Sequence, residues 1–290
     1  MILCQITDLH IRAAGRKSNR IVDTAESLRR CIDQVNRFKP RPDAAVLTGD
    51  LVDFGQPEEY AFLRELLQSL KIPYYLLPGN HDERGALRAA FPDHAYLQRR
   101  DSSSDGRSGE RIEYVIDDYP LRIVVLDTVI PGAGGGALDP DSLAWLDRVL
   151  QAQPDKPTVI VMHHPPFKTG IGFMDRVGLA QPAALARVVR RHPQVERILC
   201  GHVHRAIHVR FGGTIASICP GVAHQVELDL SPEAPSQFVM EPPAFQLHMW
   251  DAEAGLITHT VHVGAFDGPY PFCDDDDDSG SGSSSDAPVE

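Results

Sequence analysis

The feature that most limits how this chain can fold is a series of five polar motifs, each standing directly after a short apolar run. Asp8-Leu9-His10 closes the run at 2–6, Gly49-Asp50 follows 44–47, and Gly79-Asn80-His81-Asp82 follows 74–77. Met162-His163-His164-Pro165-Pro166 follows 158–161, and Gly201-His202-Val203-His204 follows 198–200. Short apolar runs separated by helix-patterned segments predict an α/β fold with a largely parallel sheet. Ligands of such sheets gather outside the carboxyl ends of the strands. Five strand ends that deliver Asp, His and Asn to one rim describe a metal site.

The bulk properties narrow the partners. The chain has 290 residues, enough for one large domain or two small ones. Of the net charge of −12, seven negative charges come from Asp274 to Asp278, Asp286 and Glu290, so the body is only mildly acidic. Duplex binding relies on clustered Lys and Arg, so no nucleic-acid polymer is expected as a partner. A small anion is still admissible, because bound cations reverse the local sign. Met1-Ile2-Leu3-Cys4 runs straight into the first strand, so no secretory signal is expected, and no apolar run is long enough to predict a membrane span. Cys4, Cys31, Cys200, Cys219 and Cys273 are scattered and odd in number, which reads as reduced cysteines of a cytoplasmic protein.

Between the motifs, periodicity predicts helices over about 21–38, 57–70, 140–150 and 182–192. Residues 111–116 and 121–127 predict a hairpin, and 101–110 a loop. Beyond His204 the pattern changes to short strands at 206–211, 213–218, 245–250 and 256–263, with a Pro-containing excursion at 228–243. Residues 273–290, acidic and Ser/Gly-rich, cannot bury enough apolar surface to fold and are expected to be disordered.

Side chains two residues apart share a face of an extended chain, so Asp8 and His10 are expected to point together, as are His202 and His204. Mixed imidazole and carboxylate donors select Fe, Mn, Zn or Co, whereas oxygen-only donors select Mg or Ca. Asp8, His10, Asp50, Asn80, His163, His202 and His204 make seven candidate ligands. That is more than one tetrahedral centre needs, and it suits two metals sharing a carboxylate.

In the order D-x-H, G-D, G-N-H-D, H, G-H-x-H, these motifs resemble the signature of the calcineurin-like metallophosphoesterases. Gly49-Asp50-Leu51-Val52 and Pro78-Gly79-Asn80-His81-Asp82 are its most specific stretches, and the likeness continues through His163-His164-Pro165-Pro166, Cys200-Gly201-His202-Val203-His204 and Pro220-Gly221-Val222-Ala223-His224-Gln225. It covers about residues 1–270 and is nearest to the bacterial branch of class III cyclic nucleotide phosphodiesterases and glycerophosphodiesterases.

The resemblance implies a two-sheet α/β/β/α sandwich over 1–272, with a short-strand extension or cap at about 206–262 where a dimer contact is expected by analogy. It implies two divalent or trivalent transition-metal ions, one on Asp8, His10, Asp50 and His204, the other on Asp50, Asn80, His163 and His202. His81 then corresponds to the histidine that meets the substrate phosphate and is the expected catalytic residue. The implied activity is hydrolysis of small phosphodiesters, cyclic nucleotides such as 3′,5′-cAMP or glycerophosphodiesters, by attack of a metal-activated hydroxide on phosphorus. A non-catalytic scaffold and a nuclease of the same superfamily are the alternatives; the intact ligand set speaks against the first and the acidic body against the second.

Other residues carry blander expectations. His164, on the opposite face from His163, and Asp127 are read as structural or as supports for ligands. His208, His224, Arg12 and Asn19 are weighed as lining the substrate mouth or simply lying on the surface. Phe167, Phe173 and Phe211 are candidate apolar walls.

Overall fold

The computed structural model describes residues 1–98 and 111–272, so the segments 99–110, with the loop expected at 101–110, and 273–290 lie outside the described residues. The first half alternates strand and helix: β1 (Ile2–Ile6), α1 (Thr24–Arg37), β2 (Ala44–Thr48), α2 (Pro57–Leu67), β3 (Tyr74–Leu77) and the short α3 (Arg84–Ala90) and α4 (Ala95–Gln98). The hairpin β4 (Tyr114–Ile116) and β5 (Arg122–Val125) precedes α5 (Pro140–Gln151), β6 (Thr158–Val161), α6 (Gly172–Asp175), α7 (Pro182–Val189) and β7 (Val195–Cys200). Six strands follow: β8 (Ile207–Phe211), β9 (Thr214–Ile218), β10 (Gln225–Val226), β11 (Phe238–Val239), β12 (Ala244–Asp251) and β13 (Gly255–His262).

Helix starts follow local chemistry. Asp23 accepts a hydrogen bond from the Glu26 amide and opens α1. Asp139 does the same for Ser142 at α5, where Pro140 takes the first turn. The helix at α7 ends at Val189, short of the 192 expected, and α6 forms inside a stretch whose glycines predict loop.

Two main sheets result, with strand orders β13-β12-β1-β2-β3 and β4-β5-β6-β7-β9-β8, and β10 and β11 form a separate two-stranded ribbon. The expectation of a largely parallel sheet holds only at their centres. There, β1, β2 and β3 run parallel, as do β5, β6, β7 and β9, while β12, β13, β4 and β8 join antiparallel. The difference has a simple cause: β4, β8 and β13 are reached through tight hairpins, which can only produce antiparallel neighbours. Three of the four late runs therefore complete existing sheets at their edges or beside β1, and β9 lies inside the second sheet.

Strand alternation assigns the layers. Ile123, Val125, Val159, Val161 and Leu199 join the core that contains β1, β2, β3, α1 and α2. Their alternate neighbours Val124, Ile160, Met162, Ile198 and Cys200 pack instead with Leu146 and Leu150 of α5 and Leu185, Val188 and Val189 of α7. The molecule is thus an α/β/β/α sandwich. No helix among the described residues is long and apolar enough to cross a membrane.

A polar seam ties the sheets together. Gln5 of β1, fully buried, donates from Nε2 to Thr48 Oγ1 (3.1 Å) and to the Cys200 carbonyl at the end of β7 (2.9 Å). Its Oε1 lies 3.1 Å from His248 Nε2, and the other ring nitrogen meets Thr258 Oγ1 at 2.8 Å, which Arg197 also contacts. Burial and the nearby Arg197 guanidinium hold His248 neutral, down to about 3, so Nε2–H donates to Gln5. Replacing Gln5 with Leu leaves the buried His248 Nε2–H without its acceptor and takes one of two donors from the Cys200 carbonyl, which keeps the Cys219 amide. We expect Gln5→Leu to cost about 1–3 kcal/mol of stability, read as a lower denaturant midpoint at unchanged slope.

Candidate metal centre

All five motifs lie at the carboxyl ends of β1, β2, β3, β6 and β7, where the two sheets face one another. The expectation that Asp8 and His10, or His202 and His204, converge through strand alternation needs correction. Asp8, His10, Asp50, His202 and His204 all have positive φ, 55°, 45°, 48°, 73° and 53° respectively. The chain has left the strand, and left-handed turns rather than pleating bring the side chains together. Such backbone is costly for residues with a Cβ and persists where surrounding contacts over-determine it.

Those contacts are present. The amides of Asp8, His10 and Ile11 donate to the carbonyls of Gly49, Asp50 and Leu51, which locks the first motif to the second. Asp82 accepts from the amides of Gly79, Leu51 and Val52 and from Tyr60 Oη, which locks the third motif to the second. Burial and the Asp50 charge push the Asp82 carboxyl up to about 6 even so. The His202 amide donates to both Asp8 oxygens at 3.1 Å and joins the sheets across the rim. The motif glycines permit this closeness: a Cβ on Gly79 would stand 2.2 Å from Asp50 Oδ1, and one on Gly49 2.4 Å from His163 Nδ1.

The structure brings the seven candidate ligands into one group, buried except for the half-buried Asn80. His10 Nε2 lies 3.2 Å from His204 Nε2 and 3.7 Å from Asp50 Oδ2, while His204 Nε2 is 3.3 Å from Asp8 Oδ1. On the other side of Asp50, His163 Nε2 lies 3.4 Å from Asp50 Oδ2 and 3.1 Å from Asn80 Oδ1, and the His163 and His202 rings are 5.1 Å apart. Asp50 therefore touches both halves. Three of the histidines are oriented through Nδ1: to Asp53 Oδ1 for His10 (3.2 Å), to the Thr48 carbonyl for His163 (2.8 Å) and to the His224 carbonyl for His204 (3.0 Å). In each, Nδ1 is engaged and Nε2 is turned toward the cluster, as in metal-ligating histidines.

Charge and burial agree with a cation. Burial would raise the Asp8 carboxyl, but His204 beside it, with His163, holds it down to about 2. Burial likewise opposes ionisation of Asp50, and His163 and His81 overcome it, so this group also stays anionic. Burial disfavours charge on His163, whereas Asp50 and Asp8 raise it to about 9. His202 is different. Burial and the His163 charge push it down to about 3, and neither of its buried ring nitrogens has a hydrogen-bond partner. A buried neutral imidazole with both nitrogens unpaired, beside two carboxylates and three imidazoles, fits a metal ion. Asp8, His10 and His204, and Asp8, Asp50 and His163, each present donors lying within 4.8 Å of one another.

His81 lies at the edge of this group. Its amide donates to Asp50 Oδ1 (3.0 Å) and its Nδ1 meets the Asp53 carbonyl (2.8 Å), leaving Nε2 for the cavity the ring lines. His164 is buried close to His202, but both its nitrogens are used, Nδ1 by Thr128 Oγ1 (2.8 Å) and Nε2 by the Gly134 carbonyl (3.2 Å). Asp127 is fully buried, pairs with Arg84 and accepts from the Ile112 and Val129 amides, so it anchors the loop after β5.

The cluster floors a cavity of about 690 Å³. Asn19, Phe173 and His224 line it; His208 is exposed on β8 and does not, and Phe167 and Phe211 pack against the outer core. Arg12 turns away to Glu59 (3.1 Å) and stacks on Phe54. Sequence reasoning missed Asp53, which supports both His10 and His81 and stands three residues after Asp50 in the same motif. It also missed Arg176, Gln237 and Phe238, which come from segments without periodic signal.

A family model described as calcineurin-like phosphoesterase matches residues 1–206. A probable glycerophosphodiester phosphodiesterase from Arcobacter nitrofigilis is 38% identical over 95% of this chain and 98% of its own length. A probable cyclic nucleotide phosphodiesterase from Rhodopseudomonas palustris is 33% identical over 91% of this chain and 93% of its own length. Among solved structures, a dimetal phosphatase from Danio rerio superposes with a TM-score of 0.59 at 16% identity, covering 91% of this chain and 99% of that one, which is a likeness of fold. With these matches laid over the five strand-end motifs, the chain belongs to the calcineurin-like phosphoesterase family.

Proposed function

We propose that this protein is a binuclear metal-dependent phosphodiesterase of small phosphodiesters, glycerophosphodiesters or 3′,5′-cyclic nucleotides. The observation that carries this reading is the buried cluster around Asp50, in which His202 has two unpartnered ring nitrogens. Asp8, His10, Asp50 and His204 would hold one ion, and Asp50, Asn80, His163 and His202 the other. The mixed donor set favours Fe, Mn, Zn or Co. Such a pair, when bound, supplies Lewis acidity toward phosphoryl oxygens and makes water acidic enough to attack phosphorus at neutral pH.

The chain's own residues do the remainder. Asp50 supplies a carboxylate that both halves of the cluster can share. Asp53 fixes the His10 ring through its carboxylate and the His81 ring through its carbonyl. Burial disfavours the His81 imidazolium, but the Asp50 and Asp53 charges outweigh it and raise its pKa. His81 is thereby suited to stabilise charge on the phosphoryl group or to hand a proton to the leaving alkoxide. Phe173, Val226 and Phe238 give the cavity an apolar flank, and its size suits a small diester. Names of relatives support both substrate classes over nearly the whole chain. Four buried cysteines without disulfides support a reducing, cytoplasmic setting. Leu228, Leu230 and Met240, apolar and exposed, support a homo-oligomeric contact in the late segment.

His81→Ala should lower kcat by about 10²–10⁴-fold with two metals per chain retained; loss of metal in this variant would instead make His81 a support for the ligands. For the function itself, metal-stripped protein reconstituted with Mn should hydrolyse bis(p-nitrophenyl) phosphate, and Asn80→Ala should weaken this by about tenfold or more at limiting metal. Running 3′,5′-cAMP and glycerophosphoethanolamine beside it ranks the substrate classes by kcat/KM. Two bound metals without turnover of any diester would overturn the reading.

A further inference from the structure

The α6 turn and the two residues after it bring Phe173, Met174, Arg176 and Val177 to the cavity. Arg176 is the one Lys or Arg among the described residues that line this cavity. Every other charged or titratable group lining it, Asp50, Asp53 and five histidines, belongs to the metal cluster or stands against it.

The Arg176 guanidinium is exposed and has no hydrogen-bond or ion-pair partner among the described residues. The carboxylate next to it in sequence is committed elsewhere: Asp175 accepts from Thr169 N (2.7 Å), Thr169 Oγ1 (2.8 Å) and Gly170 N (3.1 Å). In the facing excursion, Asp229 is taken by the Ser231 amide and Glu241 by Arg205, while the exposed Glu233 makes no ion pair with Arg176. Arg176 also lies beside glycine: a Cβ on Gly172 would stand 3.9 Å from its Nη1 and 3.6 Å from the Pro232 carbonyl. The fork is thus left open at the cavity wall, paired with none of the described carboxylates.

We infer that Arg176 is a specificity residue that receives a carboxylate carried by the alcohol portion of the phosphodiester. This rests on the reading of the site as a phosphodiesterase. The scissile phosphate would be taken by the metals and His81, so a cation of the same cavity that belongs to neither has a different group to meet. A guanidinium matches a carboxylate through two parallel N–H donors. Its single charge balances one carboxylate, whereas a second phosphate monoester would bring close to two negative charges against it.

Glycerophosphoserine and glycerophosphoethanolamine differ by one carboxylate and make the test. With the Mn-loaded protein, kcat/KM for glycerophosphoserine should exceed that for glycerophosphoethanolamine. Arg176→Gln should lower the ratio of the two by about tenfold, chiefly through KM for glycerophosphoserine. Arg176→Lys, which keeps the charge but not the fork, should recover only part of the ratio. An unchanged ratio in Arg176→Gln overturns the inference, as does failure to hydrolyse glycerophosphoserine while bis(p-nitrophenyl) phosphate is turned over; both leave the phosphodiesterase reading standing. Absence of turnover with all three diesters at full metal loading removes that reading, and the inference with it.

Discussion

Two carboxylates, Asp8 and Asp50, are held within 4.8 Å of His163 and of one another at the buried seam between two sheets. Like charges at that range in a poorly hydrated site are strongly unfavourable unless cations answer them. With side chains alone, the answer comes from His163 and His204, whose pKa values are raised by these same carboxylates. The second requirement is mechanical. Asp8 follows β1 of one sheet and is held by the His202 amide, which follows β7 of the other. The sheets cannot separate without undoing the cluster. The site is therefore a structural element of the sandwich as well as its chemistry.

The backbone carries part of the cost. Five of the seven candidate ligands adopt left-handed φ values, where each non-glycine residue is disfavoured by roughly 1 kcal/mol or more. The loops bearing them are pinned by ladder-like bonds from Asp8, His10 and Ile11 to Gly49, Asp50 and Leu51, and by the four donors on Asp82. Tyr60 reaches Asp82 from α2, so the helix layer itself holds the rim. Geometry imposed this way is ready before any ligand arrives, which is what a site needs if its donors are to converge on ions within a few tenths of an ångström.

How much of this was legible in the sequence follows from which interactions leave local traces. Apolar runs and caps leave them, so the central strands and the starts of α2 and α5 lie where periodicity, Pro57, Asp139 and Pro140 put them. The residues of the cluster were visible because Asp, Asn and His stand together at strand ends. Their geometry was not, since left-handed turns at Asp8 and His202 depend on hydrogen bonds from other strands. Gln5 is the plainest case: inside an apolar strand it reads as a polar intrusion, and only the juxtaposition of Thr48, Cys200 and His248 explains it. The cavity walls were least legible. Phe238 and Gln237 come from an excursion with no period, brought over the site by the two-residue pairing of β10 with β11.

That division has a functional consequence. The groups that would hold metal sit on strand ends fixed by both sheets, where a displacement would expose buried carboxylates. The groups that would meet the variable part of a substrate, Phe173, Arg176, Gln237 and Phe238, sit on a four-residue helix, the residue after it and a two-strand ribbon. These segments make few of the bonds that hold the cluster, and Arg176 makes none. Substitutions there change the cavity wall at little cost to the sandwich, whereas a change at Gly79 or Asp82 reaches the carboxylates directly. Specificity can therefore vary on this scaffold while the carboxylate and histidine floor is held in place.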